Sequence, residues 1–98
     1  MVGDDAKGNM LVSSLTDLGL KNYTQVKKGE RTACFNGFLD DEGNFKLGVA
    51  DMEILEEVDI EHLKKCEVHE SDILVMDGNL SPASIESVMK YLGETKWP

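Results

Sequence analysis

The sequence has 98 residues, of which 41% are hydrophobic and 30% charged, and its formal net charge is −9. This composition is typical of one small globular domain, and no apolar run approaches the roughly 18 residues of a membrane span. The acidic charge disfavours nucleic acid as a partner, because it would repel a phosphate backbone.

The N-terminal residues lack the basic and apolar regions of a signal peptide, so we predict a cytoplasmic protein with no membrane partner. The two cysteines, Cys34 and Cys66, have no CxxC or Cys/His spacing that would indicate zinc or a redox pair. Each is interpreted as a small, buried or half-buried thiol, and no metal site is predicted in these residues.

The first predicted element is an amphipathic helix that follows a turn at residues 3–5. Asp4 or Asp5 can cap its N-terminus, and Gly19 is placed to end it. A short strand is predicted next, at residues 23–26. The helix is indicated by apolar residues at intervals of three and four: Met10, Leu11, Leu15, Leu18 and Leu20.

A β-hairpin is predicted at residues 32–49, where apolar side chains alternate on both sides of an acidic turn. Gly43 ends that turn and can adopt the positive φ that such turns need. The second strand leads into Asp51, and a strand end is a common position for a ligand-binding side chain in α/β proteins.

The second half of the chain is predicted to contain a short irregular or helical segment at residues 52–58 and a helix at residues 60–66 capped by Asp59. The apolar run at residues 72–77 is typical of a parallel strand that is buried on both faces. A turn then leads to a helix that is capped by Ser81. The buried stripe of that helix is predicted to be Ile85, Val88, Met89 and Leu92, and Gly93 is predicted to end it.

Four motifs of the chain stand out: the Val-Gly-Asp-Asp-x-x-Gly string at residues 2–8, the Leu-Asp-Asp-Glu-Gly turn at residues 39–43, the strand end Asp51-Met52 and the Asp-Gly-Asn-Leu-Ser turn at residues 77–81. Together they resemble the PfkB (ribokinase-like) family of sugar and nucleoside kinases. The last two are similar to the pseudouridine kinase subgroup, in which a strand ends in Asp-Met and a later strand ends in D-x-N-(L/I)-(S/P).

The resemblance implies an α/β fold, namely part of the Rossmann-like, three-layer ribokinase-like architecture. We expect residues 1–98 to be a single fragment, about a third of such a kinase. Residues 31–51 would form a hairpin of the lid, and residues 72–93 would form a strand, turn and helix of the core.

The resemblance also implies a reaction in the parent enzyme, the transfer of phosphate from ATP with Mg²⁺ to the 5′-hydroxyl of a ribosyl compound, with pseudouridine as the expected substrate. In the family the catalytic base lies in a Gly-Ala-Gly-Asp motif, and this sequence contains neither that motif nor a P-loop. We therefore predict no catalytic residue, no tightly bound cofactor and no phosphoryl transfer by these residues alone.

Four residues are predicted to bind the substrate, because a neutral polyol needs fixed hydrogen-bond donors and acceptors on rigid supports. Asn79 occupies the position of a sugar contact in the resembled family. Other interpretations remain for all four, because an Asp or Asn after a strand is often a helix cap or turn former. In particular, Asp77 can form an Asx turn, and Thr32 suits any strand. The predicted substrate-binding residues are Thr32, Asp51, Asp77 and Asn79.

Two alternatives to a pseudouridine kinase stay open. The parent enzyme could act on another nucleoside or sugar, since neither the hairpin nor the Asp-Gly-Asn turn identifies a base. The chain could instead be a stand-alone interaction or dimerisation module, because a hairpin with exposed edges can pair with a second chain. We accordingly predict a homodimer formed through the hairpin or through exposed sheet edges.

Overall fold

The computed structural model describes residues 1–56 and 58–94. The chain divides into two compact units, Met1–Ile54 and Leu55–Pro98. Strands and helices are both present, which confirms the predicted mixed α/β class. No helix among the described residues is long and apolar enough to cross a membrane.

The first unit begins with a short parallel strand pair packed beside a helix. Strand β1 (Val2–Gly3) pairs with β2 (Val26–Lys27), and helix α1 (Ala6–Asp17) lies between them in the chain. The predicted start and end of the helix are confirmed, because Asp5 caps its N-terminus and Gly19 follows its C-terminus with a φ of 72°. The short strand predicted at residues 23–26 overlaps the observed strand β2 only at Val26.

The predicted hairpin is confirmed, although its first strand begins two residues after Thr32. Strand β3 (Cys34–Leu39) pairs antiparallel with β4 (Phe45–Asp51). Asp40 organises the turn, since its Oδ1 accepts hydrogen bonds from the backbone N–H groups of residues 42 and 44 at 3.0 and 2.8 Å. Gly43 adopts the expected positive φ of 87°.

Large apolar side chains are exposed on both faces of this hairpin. Across the strand pair, Phe35 and Phe45 lie on one face and Phe38 and Leu47 on the other. The rings of Phe35 and Phe45 are nearly parallel, with centroids 6.3 Å apart. Within the unit the hairpin therefore forms no core of its own. The exposed apolar residues of the two strands are Phe35, Phe38, Leu39, Phe45, Leu47 and Val49.

The second unit is built from two helices around a small core. A 3₁₀ helix (Glu53–Leu55) precedes it, α2 (Ile60–Lys64) is capped by Asp59, and a further 3₁₀ helix (Val68–Glu70) follows. Helix α3 (Pro82–Glu94) starts at the predicted position. The buried core consists of Val68, Val88 and Leu92, surrounded by the partly buried Val58, Ile60, Leu63, Cys66, Leu74, Met76 and Tyr91.

The predicted core strand at residues 72–77 is wrong as a strand. The segment has no ladder partner among the described residues. Leu74 and Met76 pack against the core of the second unit, whereas Ile73 and Val75 are 79% and 86% exposed. A continuous apolar run predicts burial on two faces, but only one face is covered within the unit.

Two further predictions for the last helix are wrong. Met89 does not belong to the buried stripe, since 56% of its surface is exposed. Gly93 does not end α3, which continues to Glu94. Gly93 has no positive φ, and a glycine within a helix weakens it by about 1 kcal/mol without breaking it.

Candidate functional site

Thr32 is buried and lies at the centre of a hydrogen-bond network that joins the start of the chain to the base of the hairpin. Only 3% of its surface is exposed. Its hydroxyl accepts a hydrogen bond from the backbone N–H of Gly3 at 3.0 Å and donates one to Oδ1 of Asp5 at 2.6 Å. The hydroxyl is therefore already engaged inside the protein, and its predicted contact with substrate stays a prediction.

Asp5 is the second member of this network and uses both carboxylate oxygens. Oδ1 also accepts from the backbone N–H of Gly8 at 2.8 Å, which caps α1, and Oδ2 accepts from the backbone N–H of Thr32 at 2.9 Å. These hydrogen bonds, led by that from the Thr32 hydroxyl, lower the pKa of Asp5 from 3.8 to about 2. Asp5 is accordingly ionised at neutral pH and joins two chain segments 27 residues apart.

Two glycines allow the segments to approach this closely. A Cβ atom at Gly3 would lie 2.1 Å from the carbonyl oxygen of Glu30, and one at Gly8 would lie 2.2 Å from the carbonyl oxygen of Gly3. Neither position has room for a side chain unless the backbone moves. The Gly-Asp-Asp-x-x-Gly string thus encodes a tight contact as well as a helix start.

A polar cleft of about 280 Å³ lies in the first unit beside this network. One wall is formed by the chain before Thr32 and the other by the end of β4 and the 3₁₀ helix that follows. Asp4 lies behind the first wall, where its Oδ1 accepts a hydrogen bond from the backbone N–H of Gly29 at 2.9 Å. The lining residues are Gly29, Glu30, Arg31, Asp51, Glu53 and Ile54.

Arg31 and Asp51 face each other in this cleft as an ion pair. Nη2 of Arg31 lies 2.9 Å from Oδ2 of Asp51, and the two side chains are 80% and 48% exposed. Exposed pairs of this kind contribute about 0–1 kcal/mol to stability, so a ligand can displace either partner at little cost. A guanidinium group beside carboxylates offers both donors and acceptors, which suits the hydroxyl groups of a polyol.

In the second unit Asp77 and Asn79 are bonded to each other. Oδ1 of Asp77 accepts from the backbone N–H of Asn79 and from its side-chain Nδ2, both at 2.6 Å. This arrangement is an Asx turn, which was the structural alternative to a substrate contact for Asp77. Both residues are exposed, and their role in binding stays a prediction.

Sequence reasoning missed three parts of this site: the Asp5–Thr32 link, the position of Arg31 and the cleft itself. One local signal was available. Gly8 lies within the first turns of a helix, where a glycine is unfavourable by about 1 kcal/mol relative to alanine. A glycine in that position often marks a close approach of another chain segment.

No cluster of three or more candidate metal ligands occurs in the described part of the chain.

The chain was compared with known proteins and solved structures. No protein-family model and no curated protein sequence matches the chain. A structure described as the "crystal structure of a putative sugar kinase from Clostridium perfringens" matches 97% of the chain with a TM-score of 0.70 and 23% sequence identity. The chain spans 29% of that protein's length. It therefore shares the fold of part of that structure.

Proposed function

We propose that the chain is the substrate-side part of an ATP-dependent PfkB-family kinase that phosphorylates the 5′-hydroxyl of a ribosyl compound, with pseudouridine as the substrate. The fold shared with the sugar kinase structure carries this proposal. The PfkB family and the pseudouridine substrate are proposed because the Asp51-Met52 strand end and the turn at residues 77–81 resemble those of pseudouridine kinases. Cytoplasmic location and the lid assignment of the hairpin belong to the same proposal.

The polar cleft supports a role in binding a small neutral ligand. In this proposal Asp51 accepts hydrogen bonds from ribosyl hydroxyl groups, and Arg31 donates to oxygen atoms of the same ligand. Both side chains are solvent-accessible, and Asp51 stands at the end of β4. An Asp at a strand end is a rigid acceptor, and such a position discriminates between ligands by their hydroxyl groups.

ATP and Mg²⁺ belong to the proposed reaction of the whole kinase. ATP would supply the phosphoryl group, and Mg²⁺ would neutralise charge on its phosphates. The described residues gather no set of carboxylates fit for a metal ion, and the sequence contains no Gly-Ala-Gly-Asp motif. We therefore assign no step of phosphoryl transfer to residues of this chain.

Titration of the 98-residue chain with pseudouridine should produce saturable amide NMR shifts at Arg31 and Asp51. Asp51→Asn should weaken binding by about tenfold or more, because a hydrogen bond to a charged acceptor is lost. Asp41→Asn is the matched control, since it removes the same charge from the exposed turn of the hairpin. It should leave the affinity unchanged.

Uridine and ribose, titrated in parallel, distinguish the two kinase hypotheses. Saturation by pseudouridine alone supports the proposed substrate. Equal saturation by ribose assigns the site to another sugar or nucleoside kinase of the family. A well-dispersed spectrum with no shift for any of the three compounds would reject ligand binding by this part of the chain.

The exposed hairpin favours a second candidate function, that of a dimerisation module. Six large apolar side chains are exposed on its two faces: Phe35, Phe38, Leu39, Phe45, Leu47 and Val49. We propose that a second copy of the chain covers the face that contains Phe38 and Leu47. This proposal is compatible with kinase function, because the cleft residues Arg31 and Asp51 lie at the opposite end of the hairpin from its turn.

Sedimentation across micromolar concentrations tests this dimer. We expect a dimer mass for the unaltered chain and a monomer mass for Phe38→Thr/Leu47→Thr, which removes apolar surface but keeps residues that favour strands. Met89→Gln provides the control, because it removes an exposed apolar side chain from the second unit. A monomeric unaltered chain at every concentration would rule out the module.

A further inference from the structure

The first wall of the cleft is held at both of its ends by neighbouring carboxylates. The backbone N–H of Gly29 donates to Oδ1 of Asp4, and that of Thr32 donates to Oδ2 of Asp5, each at 2.9 Å. Glu30 and Arg31, which line the cleft, lie between these two points. A segment of four residues is thus fixed at its first and last members.

The middle of the same wall rests directly on β1. The absence of a side chain at Gly3 lets that residue lie against the carbonyl group of Glu30, where a Cβ atom would be 2.1 Å from the oxygen. The backbone N–H of Gly3 donates to the hydroxyl of Thr32 at 3.0 Å. Three consecutive residues, 3–5, therefore contact the wall at residues 29, 30 and 32.

We propose that Asp5 and Thr32 are positioning residues for the cleft, and that the turn at residues 3–5 is the rigid support that places Arg31 opposite Asp51. Neither positioning residue touches the ligand in this scheme. They act through the backbone of residues 29–32, so the geometry of the Arg31–Asp51 pair depends on a hydrogen-bond network on the far side of the wall. The effect of Asp5 and Thr32 on ligand binding rests on the function proposed above. Their effect on the rigidity of the wall does not depend on that function.

The charge of Asp5 and the burial of Thr32 explain why their hydrogen-bond network can hold the cleft wall in place. The Thr32 hydroxyl is buried and bonded on both sides, and Asp5 accepts three hydrogen bonds from three different groups. Hydrogen bonds to an ionised acceptor are shorter and stronger than neutral ones, and a connected network is more rigid than its separate bonds. By contrast, the Arg31–Asp51 pair is exposed and cannot fix the wall by itself.

Thr32→Val and Thr32→Ser form the central test, because the first removes the hydroxyl at constant shape and the second keeps it. Backbone ¹⁵N relaxation should show rigid order parameters of about 0.85 at Glu30 and Arg31 in the unaltered chain. Thr32→Val should lower them to below about 0.6, and Thr32→Ser should restore them. The backbone amides of Glu30 and Arg31 form no hydrogen bond with Asp5 or Thr32. Their order parameters therefore report the mobility of the wall and not the direct loss of a hydrogen bond.

Asp5→Asn provides a second variant that separates the two roles of Asp5. Asparagine is as good a helix cap as aspartate, so α1 should remain capped. If the asparagine Oδ1 keeps the place of the aspartate Oδ1, its NH₂ group replaces Oδ2 and cannot accept the hydrogen bond from the backbone N–H of Thr32. The wall should therefore loosen as in Thr32→Val. Asp17→Asn is the charge-matched control, since Asp17 is an exposed residue at the end of α1.

Unchanged order parameters at Glu30 and Arg31 in folded Thr32→Val and Asp5→Asn would overturn the proposal. In the ligand arm, Thr32→Val should bind pseudouridine about tenfold more weakly, and Thr32→Ser should bind it within about twofold of the unaltered chain. Equal affinity of all three chains would also overturn it. Should the unaltered chain bind none of the three compounds, the proposed function fails, while the relaxation data still decide whether Asp5 and Thr32 position the wall.

Discussion

Gly8→Ala is expected to destabilise the first unit, although alanine is normally the better residue within a helix. A Cβ atom at this position would lie 2.2 Å from the carbonyl oxygen of Gly3 and 2.9 Å from the hydroxyl oxygen of Thr32. The backbone oxygen cannot move without breaking the contact between β1 and the cleft wall. We expect a loss of about 3 kcal/mol in the free energy of unfolding, the upper end of the usual cost of overpacking.

Gly93→Ala is the matched control, because Gly93 also lies within a helix and a Cβ atom added there would meet no atom of the described residues within 4 Å. There the change should stabilise the second unit by up to about 1 kcal/mol, as helix propensity predicts. Urea titrations followed by NMR intensities in each unit measure both effects. Stabilisation by Gly8→Ala would show that the two segments are further apart than the structure indicates.

The hairpin and the helix caps could be predicted because their signals are local. A period of two on both sides of a turn with Gly43 is sufficient for β3 and β4, and Asp40 supplies the hydrogen bonds of that turn from within five residues. Asp5, Asp59 and Ser81 cap their helices through residues three positions later. None of these features depends on the remainder of the fold.

The site was harder to predict because its contacts join distant residues. Thr32 and Asp5 are separated by 27 positions, and no periodicity relates them. Arg31 and Asp51 meet only because the hairpin register places Cys34 opposite Asp51. The sequence identified Thr32 and Asp51 as polar residues near strand ends, but it could not indicate that one is buried in a network and the other lines a cleft.

The run at residues 72–77 failed as a predicted strand for a related reason. Its composition predicts burial on both faces, whereas a strand also needs a neighbour that satisfies its backbone. Within the unit the core covers only Leu74 and Met76. Apolar composition therefore indicated that this segment packs on a core, but it did not indicate whether a neighbouring strand pairs with it.

Leu92→Ala is expected to remove most of the stability of the second unit. Leu92 is 7% exposed and forms the core of that unit with Val68 and Val88. Truncation of a buried leucine costs about 2–5 kcal/mol, since the lost transfer free energy is added to that of the cavity left behind. Among the described residues the other apolar side chains of this core, apart from Val68 and Val88, are only partly buried, so they can offset little of this loss.

Met89→Ala tests which face of helix α3 is buried. The sequence predicts a buried stripe that includes Met89, whereas in the structure Met89 is exposed. Periodicity alone places residues 89 and 92 on the same buried face, which predicts comparable losses for the two substitutions. Met89 is instead 56% exposed, so we expect its truncation to change the free energy of unfolding by no more than about 0.5 kcal/mol. Losses of similar size in Leu92→Ala and Met89→Ala, measured by urea titration, would mean that α3 is rotated toward the stripe that the sequence predicts.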